Sequence, residues 1–500
     1  MKTRKIIFIL LLAICVSISG CKCDKKIKTI QLKITDDPII SFRFLFHTGA
    51  MQDPAGKNGL TSLTANLLAE GSTQKNKYED ILKKLYPIAS GYGVRVDREY
   101  TIFSGRSHKD NIDIFYTLFK EALLEPAFLE EDFTRVKTAT INYLKNTFKY
   151  GDDEELGKAV FKAYMYKGTP YENNVTGKIA DLEKITLEDV KAFYKENFTR
   201  GNLIAGISGN FDDALIGKIN KDFAALPECK AGERTAITPE EIAGLNVQIV
   251  EKDTESTGIH IGFPIKLIRG DEDFHALFLA NQWFGVHRNS SSHLYRVIRE
   301  VRGMNYGDYS YIEDFPMGGR RMMPPANAYK NPQLFEIWIR PVENKNRLFA
   351  LRAALRELKK LVDNGLTQEE FDLTQKSLTK YYLHFASTNA VRLGYKIDDY
   401  IFGLKAGHLE NFRKNVEALT LEKVNRAIKK HLQYDNLKIV FVSNEAEALK
   451  EALVNSTPSP ITYRSPKPAA VLEEDKIIEV FPLKVKAENV EILKLDDVFK

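Results

Sequence analysis

Ile185-Thr-Leu-Glu-Asp-Val-Lys-Ala-Phe-Tyr-Lys-Glu-Asn-Phe-Thr-Arg-Gly-Asn-Leu203 lies without a gap on Leu419-Thr-Leu-Glu-Lys-Val-Asn-Arg-Ala-Ile-Lys-Lys-His-Leu-Gln-Tyr-Asp-Asn-Leu437. The offset is 234, and Thr186/Thr420, Leu187/Leu421, Glu188/Glu422, Val190/Val424, Asn202/Asn436 and Leu203/Leu437 are identical. A second pair, Glu131-Asp132-Phe133 against Glu369-Glu370-Phe371, keeps an offset of 238. Self-similarity at a near-constant long spacing marks a duplication. Both copies read as a Thr-capped helix, a turn at Gly201 or Asp435, and a buried strand, Leu203–Ile207 or Leu437–Val442. The spacing therefore predicts two homologous halves, 28–230 and 246–456, joined by a polar linker, 231–245, that holds Pro239.

Working outward, each half mixes strands with helices. In the first, Ile39–His47 is an apolar strand and Leu60–Ala69 a helix. Val94–Ser104 alternates like a hairpin with Asp97-Arg98 near its turn. Asn111–Leu124 has helical periodicity, with Ile112, Phe115, Leu118, Phe119 and Leu123 on one face. Helices follow at Glu130–Thr147 and Leu187–Asn197. The second half offers strands at Gly258–Phe263 and Leu334–Arg340, and helices at His275–Trp283, Arg347–Asp363 and Gln368–Ala386. Strand runs with clustered helices predict an α+β fold, each half packing helices on one face of a mainly antiparallel sheet. Residues 457–500, with Pro458, Pro460, Pro466 and Pro468, read as an extended arm with strands Ile477–Val480 and Val490–Leu495.

The N-terminus carries an address. Lys2, Arg4 and Lys5 precede an apolar run, Ile6 to Val16, then Ile18-Ser19-Gly20-Cys21. This is a secretory signal over 1–20, too short to span a bilayer. Ile18-Ser19-Gly20-Cys21 also resembles the bacterial lipobox, which implies a lipid-modified Cys21 and a short tether, 21–27. Acyl chains hold a protein at a membrane through roughly 0.8 kcal/mol per buried methylene. The alternative is an ordinary signal with a chance cysteine. Lys22 after the cysteine favours the outer membrane, facing the periplasm, if the common sorting pattern applies. Removing Lys2, Arg4 and Lys5 takes the formal net charge from +5 to +2, a balance that does not point to nucleic acid. With Cys15 in the signal and Cys21 lipidated, Cys23 and Cys229 make at most one disulfide.

Three stretches resemble the M16 (insulinase, or pitrilysin-like) metallopeptidase family. Gly49-Ala-Met-Gln-Asp-Pro-Ala-Gly-Lys-Asn-Gly59-Leu60 is similar to the segment before the family's zinc helix. Leu294-Tyr-Arg-Val-Ile-Arg299-Glu-Val-Arg302-Gly303-Met-Asn-Tyr306-Gly307 resembles the second-half segment with the family's Arg/Tyr pair. Asn202–Asp212 is similar to the strand and helix start that close the first half. The resemblance implies two α+β halves of the M16/LuxS-like metallohydrolase fold enclosing a chamber.

The family's zinc motif, His-x-x-Glu-His, does not carry over. Two imidazoles four apart share a helical face and grip Zn²⁺, while the Glu activates water. Here Ser62 and Asn66 take the histidine places and Ala65 that of the base. The third ligand, a Glu on a later helix, falls at Tyr143, or at Asn142 if the register slips by one. His47, His108, His260, His275, His287, His293, His384, His408 and His431 form no His-x-x-x-His pair. Each is read as a surface or satisfied core histidine, and no cofactor is expected in this chain.

The resemblance leaves Arg299 and Tyr306 as assisting residues, implied to fix the substrate backbone and to hydrogen-bond the scissile carbonyl as it becomes an oxyanion. The bland reading is a helical salt bridge and a strand tyrosine. Some relatives work as heterodimers, so the expectation is a non-zinc subunit whose partner bears His-x-x-Glu-His and zinc, acting on an unfolded peptide paired with a sheet edge. Tyr309-Ser-Tyr311 and Phe315-Pro-Met317 either line the chamber or are strand and loop packing. Gly318-Gly319-Arg320-Arg321 is a basic loop without a phosphate-loop frame. The alternatives are a catalytically inactive peptide-binding or scaffold lipoprotein, and an unrelated adhesin.

Overall fold

The computed structural model describes residues 27–228, 237–315 and 325–500. The signal segment, Cys21, Cys23, Cys229, Met317 and Gly318-Gly319-Arg320-Arg321 lie outside the described residues. Among the described residues no helix is long and apolar enough to cross a membrane.

The first half contributes β1 (Lys28–Lys33), β2 (Ile39–Phe46), β3 (Gly91–Val96), β4 (Thr101–His108) and β5 (Leu203–Gly209). The second contributes β6 (Leu245–Glu251), β7 (Ser256–Ile265), β8 (Asp308–Tyr311), β9 (Gln333–Glu343), β10 (Leu437–Ser443) and β11 (Val485–Lys494). One sheet runs β1-β5-β2-β4-β3 and the other β11-β6-β10-β7-β9-β8. Set β1 on β6, β2 on β7, β3 on β8, β4 on β9 and β5 on β10, and the two orders coincide, with β11 added at an edge. Pairing is parallel for β1/β5, β6/β10 and β6/β11 and antiparallel elsewhere. The duplication read from Thr186 and Thr420 is thus a duplication of whole sheets. Both threonines cap as expected: Asp189 N–H donates to the Thr186 hydroxyl at 3.2 Å, and Lys423 N–H to that of Thr420 at 3.3 Å.

Period-two patterning decides which face of each sheet takes the helices. Phe42, Phe44 and Phe46 point one way from β2 and are buried. Phe42 meets Phe115 at 5.5 Å and Phe44 meets Phe119 at 5.2 Å, both from helix Ile112–Leu124. Each such ring contributes roughly 2–3 kcal/mol by leaving water. Ser41, Arg43 and Leu45 point the other way, and that face is covered by the opposite half. Helix Asn389–Ile401 of the second half lays Leu393 and Ile397 on Leu45, Ile102 and Ile204. Reciprocally, helix Asp153–Met165 of the first half packs Phe161 near His260, 5.8 Å between ring centres, and joins Val440 and Val442 in one cluster. Small residues permit the close approach: a Cβ on Gly157 would stand 2.9 Å from His260 Nε2, and one on Gly394 3.1 Å from an Arg43 guanidinium nitrogen.

Several expectations need correction. Residues 457–500 are not an appended arm. Ile477 and Ile478 end a helix, Ala469–Ile478, that starts behind Pro468, and Arg302 grips its Glu474 and Asp475 at 2.8 Å each. Only the later segment is extended; as β11 it pairs parallel with β6, and Phe499 beyond it reaches the first half, its carbonyl accepting from Ile179 N–H at 3.0 Å. Ile27, assigned to the tether, is buried, and Leu245, assigned to the linker, starts β6. The helix expected over Glu130–Thr147 is α-helical to Asn142 and widens to a π-helix over Tyr143–Gly151, which turns Leu144, Phe148 and Lys149 inward. Helix Gln368–Tyr381 tightens into a 3-10 turn, Tyr382–His384, short of Ala386.

Candidate functional site

Helix Leu60–Glu70 begins behind Gly59, which sits at φ +100°. Its first turn is capped from outside. Asp53 accepts from Gly59 N–H at 2.6 Å, from Thr61 N–H at 2.7 Å and from the Thr61 hydroxyl at 2.6 Å. Burial pushes the Asp53 carboxyl up to about 6, against the pull of those bonds. The framework of the motif helix is therefore built. Its contents are not those of a metal site. Ser62 and Asn66 share a face, and the Asn66 amide donates to the Ser62 hydroxyl at 3.3 Å. Ala65 is wholly buried and has no group to take a proton. A neutral hydroxyl and a neutral amide, bonded to each other, do not match zinc's preference for imidazole, thiolate or carboxylate. Tyr143 stands 43% exposed, its ring 5.9 Å from Phe148, and makes no hydrogen bond to Ser62 or Asn66. The residues at these positions do not fit the family's metal.

The histidines read as cores and surfaces. His260 bonds Glu336 at 2.9 Å, His287 the Tyr311 hydroxyl at 2.7 Å, and His293 bonds Glu357 at 2.7 Å while stacking on Trp283 at 4.4 Å. Among the described residues no three His, Cys, Asp or Glu side chains are placed to hold a metal ion.

Arg299 and Tyr306 are brought together. Arg299 lies on a π-helical stretch, Tyr295–Glu300, donates to the Tyr295 hydroxyl, and sits 4.8 Å from the Tyr295 ring and 6.0 Å from that of Tyr306. Its Nε is buried without a hydrogen-bond partner. The chain turns at Gly303, φ +71°, and Asn305 pins the loop by donating to Asp308 at 2.7 Å and to the Arg340 carbonyl at 3.0 Å. Complete burial drives the Asp308 carboxyl well above the usual range. Tyr306 itself is 77% exposed, so its hydroxyl faces solvent beside a fixed cation. The aromatics just beyond it do not line a chamber: Tyr309, Tyr311, Phe315 and Trp338 form a buried cluster.

Sequence reasoning missed the edge at β3. Helix Leu60–Glu70 packs beside this strand, which ends its sheet, and among the described residues nothing pairs with its outer side. The signal was present in Gly91-Tyr92-Gly93: two glycines in a strand mark a place where another backbone approaches.

Residues 31–178 match the model of the insulinase family, peptidase family M16, and residues 184–378 match that of the peptidase M16 inactive domain. The chain is similar to the non-peptidase homolog YmxG of Helicobacter pylori, 23% identical over 82% of this chain and 90% of that protein. It is also similar to the probable inactive metalloprotease YmfF of Bacillus subtilis, 25% identical over 53% of this chain and 57% of the other. Among solved structures, the peptidase M16 inactive domain from Pseudomonas fluorescens superposes with a TM-score of 0.74 at 23% identity, covering 84% of this chain and 96% of that one. With both halves matched, the chain belongs to peptidase family M16, as a member that carries Ser62, Ala65 and Asn66 in the motif.

Proposed function

We propose that the chain is the non-zinc subunit of a two-subunit M16 peptidase, tethered at the bacterial envelope through Cys21. The observation that carries this reading is the solvent-facing Tyr306 held beside Arg299 in a chain whose motif helix has lost every metal-binding group. The substrate is an extended peptide that adds a strand to the free edge of β3. The Tyr306 hydroxyl donates to the peptide carbonyl as negative charge grows on its oxygen, and Arg299 supplies a preset positive field. The metal chemistry belongs to a partner bearing His-x-x-Glu-His.

Mixing the two subunits is expected to restore peptidase activity that neither has alone. Tyr306→Phe is expected to lower kcat of the mixture by about 10²-fold, the usual loss for one oxyanion donor, and Arg299→Ala to lower it at least as much. If the mixture is active and both variants match the parent, the roles given to these residues are wrong. Zinc dialysed against the isolated chain should not be retained; stoichiometric zinc would overturn the division of labour. For the anchor, metabolic labelling with a fatty-acid analogue should mark the chain and not Cys21→Ser; equal labelling would sink it.

A second reading has its own support in the relatives' names, non-peptidase and inactive: a peptide-binding or scaffold lipoprotein with no catalytic partner. Failure of every His-x-x-Glu-His subunit to co-purify or to activate would favour it.

A further inference from the structure

The free edge of β3 lies between two grooves, one on each face of the sheet, and only the second carries arginines. On the helix side, a groove of about 620 Å³ is lined by Tyr78, Ile81, Leu85, Tyr86 and Tyr92. Leu82 and Tyr86 stand 48% and 87% exposed at its rim. Burial pushes the Tyr92 phenol upward, and its hydroxyl has no hydrogen-bond partner. On the other face, a groove of about 370 Å³ is lined by Ser41, Arg43, Ser104, Arg106 and Leu393. Its floor is glycine: a Cβ on Gly91 or Gly93 would meet nothing within 4 Å.

Register joins these grooves to the edge. Gly91 pairs with Arg106, which pairs with Ser41; Gly93 pairs with Ser104, which pairs with Arg43. Tyr92 and Val94 point to the helices, while Gly91 and Gly93 point to the arginine face. A strand added to β3 would send alternate side chains to opposite faces. One set would enter the Tyr78–Tyr86 groove. The other would cross the glycine floor, within reach of the exposed Arg106 guanidinium, which makes no ion pair among the described residues. Arg95, at the far end of β3, donates to the carbonyls of Ala326 and Asn327 at 3.0 and 2.6 Å, so the open stretch is Gly91–Val94.

We propose that this edge selects extended peptides in which apolar and acidic residues alternate, the apolar ones seated against Tyr78, Ile81 and Tyr92 and the acidic ones against Arg106. The selection rests on the peptide-binding part of the function proposed above, and needs neither the partner nor its metal. It deepens that reading from a generic unfolded chain to a two-faced strand.

The test is direct binding to the isolated chain, by fluorescence anisotropy, of capped octapeptides in which leucine alternates with glutamate, lysine or serine. The glutamate peptide is expected to bind about tenfold or more tighter than the lysine peptide, and Arg106→Glu to reverse that order, the behaviour of a charge-selected edge. N-methylation of every amide of the glutamate peptide should abolish binding, since only alternate amides face the edge and this removes those ladder donors in either register without touching the protein. Gly93→Val, whose Cβ would meet nothing within 4 Å, should weaken the glutamate peptide without lowering the melting temperature. Equal binding of the three peptides, an unchanged order in Arg106→Glu, or tight binding of the N-methylated peptide overturns the proposal. A missing catalytic partner would leave all of these readouts intact, so the two failures are distinguishable.

Discussion

Asp314→Ala is expected to cost about 3–5 kcal/mol of stability, the usual result of stripping one partner from a buried ion pair. Asp314 sits between two ammonium groups, Lys162 and Lys330, and all three side chains are 6% exposed or less. Lys162 comes from helix Asp153–Met165 of the first half, whereas Asp314 and Lys330 belong to the second. Lys330 keeps a fallback, Asp97 at 3.3 Å. Among the described residues Lys162 has no second carboxylate within ion-pair distance, so the alanine variant buries an unanswered charge. Burial alone would raise the Asp314 carboxyl; the two lysines outweigh it and hold it far below the usual carboxylate range. For a depressed acid the stabilisation is present in full above the unfolded value and is lost progressively as pH falls from there through the folded one, so the deficit of Asp314→Ala should begin to shrink below about pH 4. Urea melts at pH 7 and pH 3 provide the measurement. Replacing Lys162 by methionine together with Asp314 by leucine, with Lys330 left on Asp97, should recover most of the loss. An unchanged midpoint in the single variant would mean that the triad is not closed in solution.

The second large effect is at Asp53. Asp53→Ala leaves the buried Gly59 and Thr61 N–H groups without their acceptor, while the Thr61 hydroxyl keeps the Gly49 carbonyl at 3.0 Å, at about 1–3 kcal/mol for each unsatisfied group, of which relaxation returns a part. A net loss of about 3 kcal/mol is the expected value. The pH dependence runs opposite to that of Asp314. Here burial raises the folded value from 3.8 to about 6. The folded state therefore holds the proton more tightly, and the group's contribution falls as pH rises from about 4 through 6. The difference between the parent and Asp53→Asn, which cannot ionise, should change by about 2–3 kcal/mol over that interval, at 1.36 kcal/mol per pH unit. A flat difference would mean that the carboxyl is solvated.

How much of this was legible beforehand follows from the range of each interaction. The halves were readable because helix caps and strand alternation are local, and Thr186 and Thr420 repeat the same local code. The lost metal site was readable for the same reason: Ser62, Ala65 and Asn66 are fixed by spacing on one helix. Arg299 and Tyr306 could be paired from eight residues of sequence, yet only the structure shows the tyrosine in solvent and the guanidinium between two rings. Longer-range features were out of reach. Nothing near Asp314 announces two lysines 152 and 16 residues away. The Tyr309–Phe315 aromatics gave no sign that Trp338 would close over them. The segment after Asn455 misled because its prolines suggest an extended arm, while the helix after Pro468 is held by arginines at 302 and 356.

The exchange of helices between the sheets has a further consequence. A single repeat, folded alone, would leave Leu45, Ile102 and Ile204 bare to water on the face that Leu393 and Ile397 now cover. Two separate copies could hide that face only by trading helices, the arrangement of a swapped homodimer, and such a dimer falls apart on dilution. Joining the copies through one connection makes the trade intramolecular and replaces protein concentration with an effective concentration set by that connection. The melting temperature of this chain should therefore not depend on how dilute it is, and cutting the connection should restore the dependence.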